Sequence, residues 1–207
     1  MTIKYLLYNC NYKIYRMLHP AAPWLPPTAI KYLESFLKED MIGFEWGSGR
    51  STVFLAKRVN FLVSVEHDKN WYEKVKISLK KKGLISRVEY KFIEPVDRKE
   101  INEIPWHYWK GSRLIGLPSK PQFYHYFQEI QKYPDNHFDF ILIDGRARVA
   151  CMMNAKDKIK KEGILILDNS DREKYHGIFS IFDECKRVNF SNGLQQTTVW
   201  RNMTIDV

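Results

Sequence analysis

The chain has 207 residues, 44% of them hydrophobic and 28% charged, with a formal net charge of +9. That length suits one α/β domain with additions and is ample for a core without staples. The composition is that of an ordinary soluble globular protein, which excludes disordered and collagen-like classes. The three cysteines, Cys10, Cys151 and Cys185, are widely separated and odd in number, so they suggest neither a disulfide framework nor a zinc knuckle and favour a reducing, cytoplasmic setting.

Met1 to Leu18 carries Ile3, Leu6, Leu7, Ile14 and Leu18 at roughly helical spacing among tyrosines and lysines. It lacks the continuous apolar stretch of a secretory signal and reads as a docking helix, with peripheral membrane contact as the lesser alternative. No segment reaches the ~18 consecutive apolar residues that a membrane-spanning helix needs. Prolines from Pro20 to Pro27 then break the chain, closing an N-terminal extension over 1–27. Trp24 within it is expected as a packing anchor rather than a lid over a ligand. Thr28 is placed to cap a helix over 29–37, with Ile30, Leu33 and Leu37 on its apolar face.

Gly43-Phe44-Glu45-Trp46 reads as the end of a buried strand, and Gly47-Ser48-Gly49 as a tight turn into a helix through Val53 to Val59. Glycines allow close approach of the turn to a ligand, and the helix points unpaired N–H groups back toward it. A dinucleotide fingerprint would need a third glycine where Thr52 stands, and a phosphate loop would need a Gly-Lys-Ser/Thr, so neither pattern is met. Phe61 to Val65 predicts a second strand ending in Glu66, whose two acceptor oxygens suit the hydroxyls of a ribose. His67 follows at the same crevice, ahead of a helix over 70–82 and a third strand over 88–93.

From Pro95 to Pro121 the periodicity disappears and aromatic residues gather, which predicts a substrate-side lid; an accessory helix is expected over 121–133. Phe138 to Ile143, apolar without a break from Phe140, and Ile164 to Leu167 carry the continuous apolar runs typical of central parallel strands, ending in Asp144 and in Asp168-Asn169. Between them lies a helix with Val149, Met152 and Met153, the methionines read as core filler. A helical stretch over 171–185 precedes two last strands, 186–190 and 196–201. Lys80, Lys81 and Lys82, like Lys156, Lys158, Lys160 and Lys161, fall at predicted helix ends, where cations complement the helix dipole; this reads as a solvated surface more than a nucleic-acid footprint.

The acidic-x-Gly-x-Gly turn at Glu45 to Gly49, with an acidic residue closing the second strand, resembles the class I S-adenosylmethionine-dependent methyltransferases from about Thr28 to Trp200. That resemblance implies a Rossmann-like α/β fold over 28–207, with a mostly parallel seven-stranded sheet, helices on both faces, and a final antiparallel hairpin. Another doubly wound nucleotide-binding protein is the alternative fold reading. The resemblance also implies that Glu45, Gly47, Ser48 and Gly49 face the methionine moiety, that Glu66 holds the ribose, and that Glu94 borders the adenine. It further implies methyl transfer. His107, His125, Arg146, Arg148 and Arg172 suit a hydroxyl- or acid-bearing ring or sugar, and no Asn/Asp-Pro-Pro-Tyr motif of amino-group methylation is present, so O-methylation of a small molecule or saccharide is expected. The alternative is a non-catalytic module binding nucleic acid or glycan.

Asp144, Asp168 and Asn169 also resemble the metal set of the catechol-type O-methyltransferases, which implies Mg2+ or a similar divalent cation held by three oxygen ligands. The lysine base of that family is replaced here by Ala147. Asp144 and His67 are accordingly the catalytic candidates, with His67 able to take the acceptor's proton.

Overall fold

The computed structural model describes residues 3–97 and 120–202. Most of the expected lid, His107 included, lies outside the described residues. Helices α1 (Ile3–Leu18) and α2 (Pro27–Phe36) lead into an alternation of strand and helix: β1 (Ile42–Trp46), α3 (Arg50–Ala56), β2 (Phe61–Glu66), α4 (Lys69–Lys81) and β3 (Val88–Phe92). After the undescribed stretch come α5 (Tyr124–Gln128), β4 (Phe138–Ile143), α6 (Arg148–Ala155), β5 (Ile159–Asp168), β6 (Lys186–Ser191) and β7 (Gln196–Arg201).

The seven strands form one sheet in the order β3-β2-β1-β4-β5-β7-β6. β1 to β5 run parallel, while β7 is antiparallel to both β5 and β6, so the sheet is mixed and closes on a hairpin. Side chains alternate between the faces as a pleated strand requires. Phe44, Trp46, Val63, Val65, Ile141 and Ile143 join one core beneath α5, α6 and the 3₁₀ segment Glu173–Phe182. Leu62, Phe140, Leu142, Ile164 and Ile166 join the other, beneath α2, α3 and α4. The near-continuous apolar runs seen in the sequence are strands buried on both sides.

The expected accessory helix over 121–133 is three short pieces, a 3₁₀ turn, α5 and a second 3₁₀ turn at Glu129–Lys132. Phe123, Tyr126, Phe127 and Ile130 anchor it, and the Trp46 indole N–H donates to the Tyr126 carbonyl at 2.8 Å.

Several local expectations are corrected. Thr28 does not cap α2, because the helix begins one residue earlier at Pro27, whose fixed φ suits a first turn without a side-chain cap. Lys160 and Lys161 lie in β5 rather than at a helix end. Lys158 and Lys160 instead pair with Asp135 and Asp139 at 2.6 and 2.9 Å. Met152 is core, but Met153 is 42% exposed. The stretch after β5 winds as a 3₁₀ helix over Glu173–Phe182.

α1 turns Tyr8, Tyr12 and Tyr15 toward the body and leaves Leu7, Ile14, Met17 and Leu18 exposed. No helix among the described residues is long and apolar enough to cross a membrane.

Candidate active site

A cleft of about 760 Å³ opens at the carboxyl ends of β1, β2 and β4, where open α/β sheets bind their ligands. Its floor is the glycine turn. Gly47 has φ +90, in the region that favours glycine, and a Cβ there would lie 2.5 Å from the Gly145 Cα in the turn after β4. Two backbone turns therefore meet with no side chain between them, leaving Ser48 and Gly49 facing the cleft.

Glu45 does not face the cleft as expected. It is fully buried under the turn, where its Oε2 accepts from Thr52 Oγ1 at 2.6 Å and Ser64 Oγ at 2.7 Å. Thr52 Oγ1 in turn accepts from the Gly49 N–H at 2.8 Å. Glu45 thus shapes the turn from beneath. Burial pushes its carboxyl up to about 7, against the hydroxyl bonds that favour ionisation and with the nearby Glu66 charge adding to the rise.

Glu66 is where the second strand delivers it, at the cleft wall. Its Oε2 accepts from the Ser48 N–H and hydroxyl at 3.0 and 2.9 Å, and its Oε1 from the N–H groups of His67 and Asp68 at 2.8 and 2.9 Å. Burial works against its ionisation. The bonds from His67, Asp68 and Ser48 outweigh that and hold the carboxyl below its ordinary range. Ser48 Oγ also lies 2.6 Å from the Tyr90 hydroxyl, so it has a second partner if a ligand takes its place on Glu66.

His67 lines the cleft beside Glu66, its ring edge-on to Phe123 and Tyr126. Nδ1 lies 2.8 Å from Glu66 Oε1, without hydrogen-bond alignment, and the Arg146 Nε–H donates weakly to Nε2 at 3.4 Å. Glu94 is exposed after β3 and is not among the residues lining the cleft.

The oxygen set expected for a divalent cation does not assemble. Arg148 reaches both aspartates: Nη2 donates to Asp144 Oδ1 at 2.9 Å, Nη1 donates to the Asp168 carbonyl, and Nη1 lies 3.9 Å from Asp168 Oδ2. Asp168 Oδ1 is taken by the Thr197 hydroxyl at 2.7 Å. Asn169 sits in a left-handed turn (φ 51) and does not line the cleft. Among the described residues no group of three His, Cys, Asp or Glu side chains is arranged to hold a metal. Burial and the neighbouring Asp168 charge push Asp144 up, and Arg148 opposes that rise. A guanidinium is the cation of this corner, and these residues do not fit a metal as well.

Two aromatic residues missed as site components line the outer wall. Trp71, on α4, donates its indole N–H to the Ser48 carbonyl at 2.7 Å. Trp24 is not the anchor of its segment; that is Leu25, 1% exposed. Trp24 is 48% exposed in the cleft, 6.4 Å from Trp71 between ring centroids, with the Arg16 and Arg50 guanidinium groups over its ring at 4.8 and 5.7 Å. Proline punctuation placed the segment, but no periodicity tells which of two adjacent apolar residues turns inward.

No family model and no curated protein sequence matches the chain. Solved structures do. An rRNA methylase from Streptococcus thermophilus superposes with a TM-score of 0.59 at 11% identity, over 88% of this chain and 100% of that one. A Streptococcus mutans protein in complex with SAH gives 0.58 at 10% identity, over 85% and 96% of the two chains. An S-adenosylmethionine-dependent O-methyltransferase from Thermotoga maritima gives 0.58 at 11% identity, over 93% and 71%. With the strand order, the terminal hairpin and the glycine turn all in agreement, the chain has the fold of the class I S-adenosylmethionine-dependent methyltransferases.

Proposed function

We propose that the protein binds S-adenosylmethionine across Gly47–Gly49 and Glu66 and transfers its methyl group to an oxygen of a small molecule or saccharide. The observation that carries this reading is the pairing of a glycine turn, bare of side chains at Gly47 and Gly49, with an ionised carboxylate at the adjacent strand end, opening into one cleft. The SAH bound to a neighbour of the same fold supports it. The residues fit the group: Glu66 offers acceptors to a ribose once the Ser48 hydroxyl moves to Tyr90, and the bare turn lets a methionine chain lie against backbone. The sulfonium supplies an activated methyl group, so the protein's task is to hold the acceptor in line and take its proton. His67 stands nearest that role. Among the described residues its Nε2 is held only by the 3.4 Å contact from Arg146, which an acceptor hydroxyl can displace.

Calorimetry with S-adenosylmethionine and its demethylated product tests the reading. Both are expected to bind. Glu66→Gln should weaken them roughly 10- to 150-fold, the loss of one hydrogen bond to a charged acceptor, about 1.5–3 kcal/mol. Folded protein giving neither heat nor thermal stabilisation with either ligand would end the methyltransferase reading. Labelled methyl appearing only on RNA or protein would overturn the small-molecule acceptor.

A further inference from the structure

We infer that the same cleft binds a phosphorylated small molecule beside the cofactor, its phosphate held by Lys120, Arg146, Arg172 and Lys174. This deepens the reading above and rests on it, since that reading assigns Gly47–Gly49 and Glu66 to the cofactor.

These four cations line the cleft, where Arg50, Lys74 and Arg148 also stand, although they come from separate parts of the chain: the entry to α5, the turn after β4, the turn after β5 and the 3₁₀ segment that follows it. The carboxylates lining the same cleft are already engaged. Glu66 is taken by N–H groups and Ser48, Asp68 Oδ1 accepts from the Trp71 N–H at 2.8 Å, and Asp144 is held by Arg148. Among the described residues the four cations are left with weak company. Arg146 has its long contact to His67, Lys174 lies 5.2 Å from the Tyr175 ring centroid, and Lys120 lies 5.9 Å from that of Phe123. Burial, then the charges of Arg146 and Lys174, hold Lys120 below its ordinary range. Like charges crowded in a partly enclosed cleft repel one another, and a bound anion reverses that sign.

The charge count favours phosphate over a carboxylate. A single carboxylate leaves most of this positive charge uncompensated, whereas a phosphomonoester brings nearly two negative charges and oxygens that match an arginine fork. The geometry favours a small molecule over a nucleic acid. The cations converge in a cleft of about 760 Å³ that must also take the cofactor, instead of tracking along a surface. Lys80 and Lys81, at the C-terminal end of α4, lie outside the cleft.

The test is titration calorimetry of the full chain, saturated with SAH, against inorganic pyrophosphate at low and high salt. Binding is expected, weakening as salt rises. The double variant Arg172→Ala/Lys174→Ala should lose at least about tenfold in pyrophosphate affinity. Both residues are exposed, so the fold should survive their replacement. A control variant at the far helix end, Lys80→Ala/Lys81→Ala, should keep wild-type affinity. Protein that binds SAH but gives no pyrophosphate heat overturns the inference, as does equal weakening in the two variants. Tight binding of a short single-stranded RNA that pyrophosphate does not displace also overturns it, in favour of a polymer surface. Pyrophosphate binding without SAH binding would keep the anion site and remove the cofactor reading instead.

Discussion

Replacing Arg148 with alanine is expected to destabilise the folded chain by about 3–5 kcal/mol, the usual penalty for breaking one side of a buried ion pair. On a chain of this size that corresponds to a fall in melting temperature on the order of 10 °C. Arg148 is 8% exposed, and its guanidinium joins pieces of structure that are distant in sequence. Nη2 donates to the Asp144 carbonyl and carboxylate, both at 2.9 Å, Nε donates to the Gly145 carbonyl at 3.1 Å, and Nη1 donates to the Asp168 carbonyl. Removing it takes a donor from three carbonyls and leaves two neighbouring carboxylates without their counter-ion. Burial already pushes both acids up, and losing the opposing charge raises them further. Arg148→Lys should recover only part of the loss, because one ammonium cannot reproduce a planar fork that spans both strand ends. Thermal unfolding of the variants, with and without magnesium, checks the assignment. Wild-type stability is expected to ignore both magnesium and a chelator; a melting temperature raised by magnesium would show that a metal, and not the guanidinium, balances these acids.

That corner also shows where the sequence stops being legible. Strand ends could be read because burial on both faces writes a continuous apolar run, as at Phe140 to Ile143, and the residue after the run then lies at the carboxyl edge of the sheet. The glycine turn and Glu66 follow the same logic, since turn chemistry and strand termini are local. What Asp144 and Asp168 do there is not local. Two aspartates at adjacent strand ends suit a dication or a guanidinium equally well, and the choice depends on where a side chain four residues beyond Asp144 folds back. Glu45 was misplaced for a related reason: a strand terminus fixes a residue's position but not whether its carboxyl points into the cleft or under the turn, and Thr52 and Ser64 decide that. The basic lining of the cleft was only partly visible, because Lys120 and Lys174 meet Arg146 through tertiary packing alone.

Glu45 gives the clearest dependence on pH. The unfolded carboxyl titrates near 4.5 and the folded one near 7. Between those values the folded chain keeps a proton that the unfolded chain has released, so stability falls as pH rises through that window and is level above it. The loss amounts to about 3 kcal/mol. Glu66 acts in the opposite sense and in another window. Its folded pKa is depressed, so its contribution is present above the unfolded value and is lost only as pH falls below it. Asp144 and Asp168, both raised, add their own decline with rising pH, so the wild-type curve alone does not isolate Glu45. Glu45→Gln does. The amide oxygen can still accept from Thr52 and Ser64, and the amide does not ionise, so the variant stays uncharged like the protonated acid at every pH. Urea unfolding from pH 4.5 to 8 should show the variant gaining about 3 kcal/mol on the wild type across that range. Parallel stability curves would mean that the buried carboxyl is already ionised at acid pH, and that the hydroxyls beneath the turn stabilise its charge more than burial opposes it.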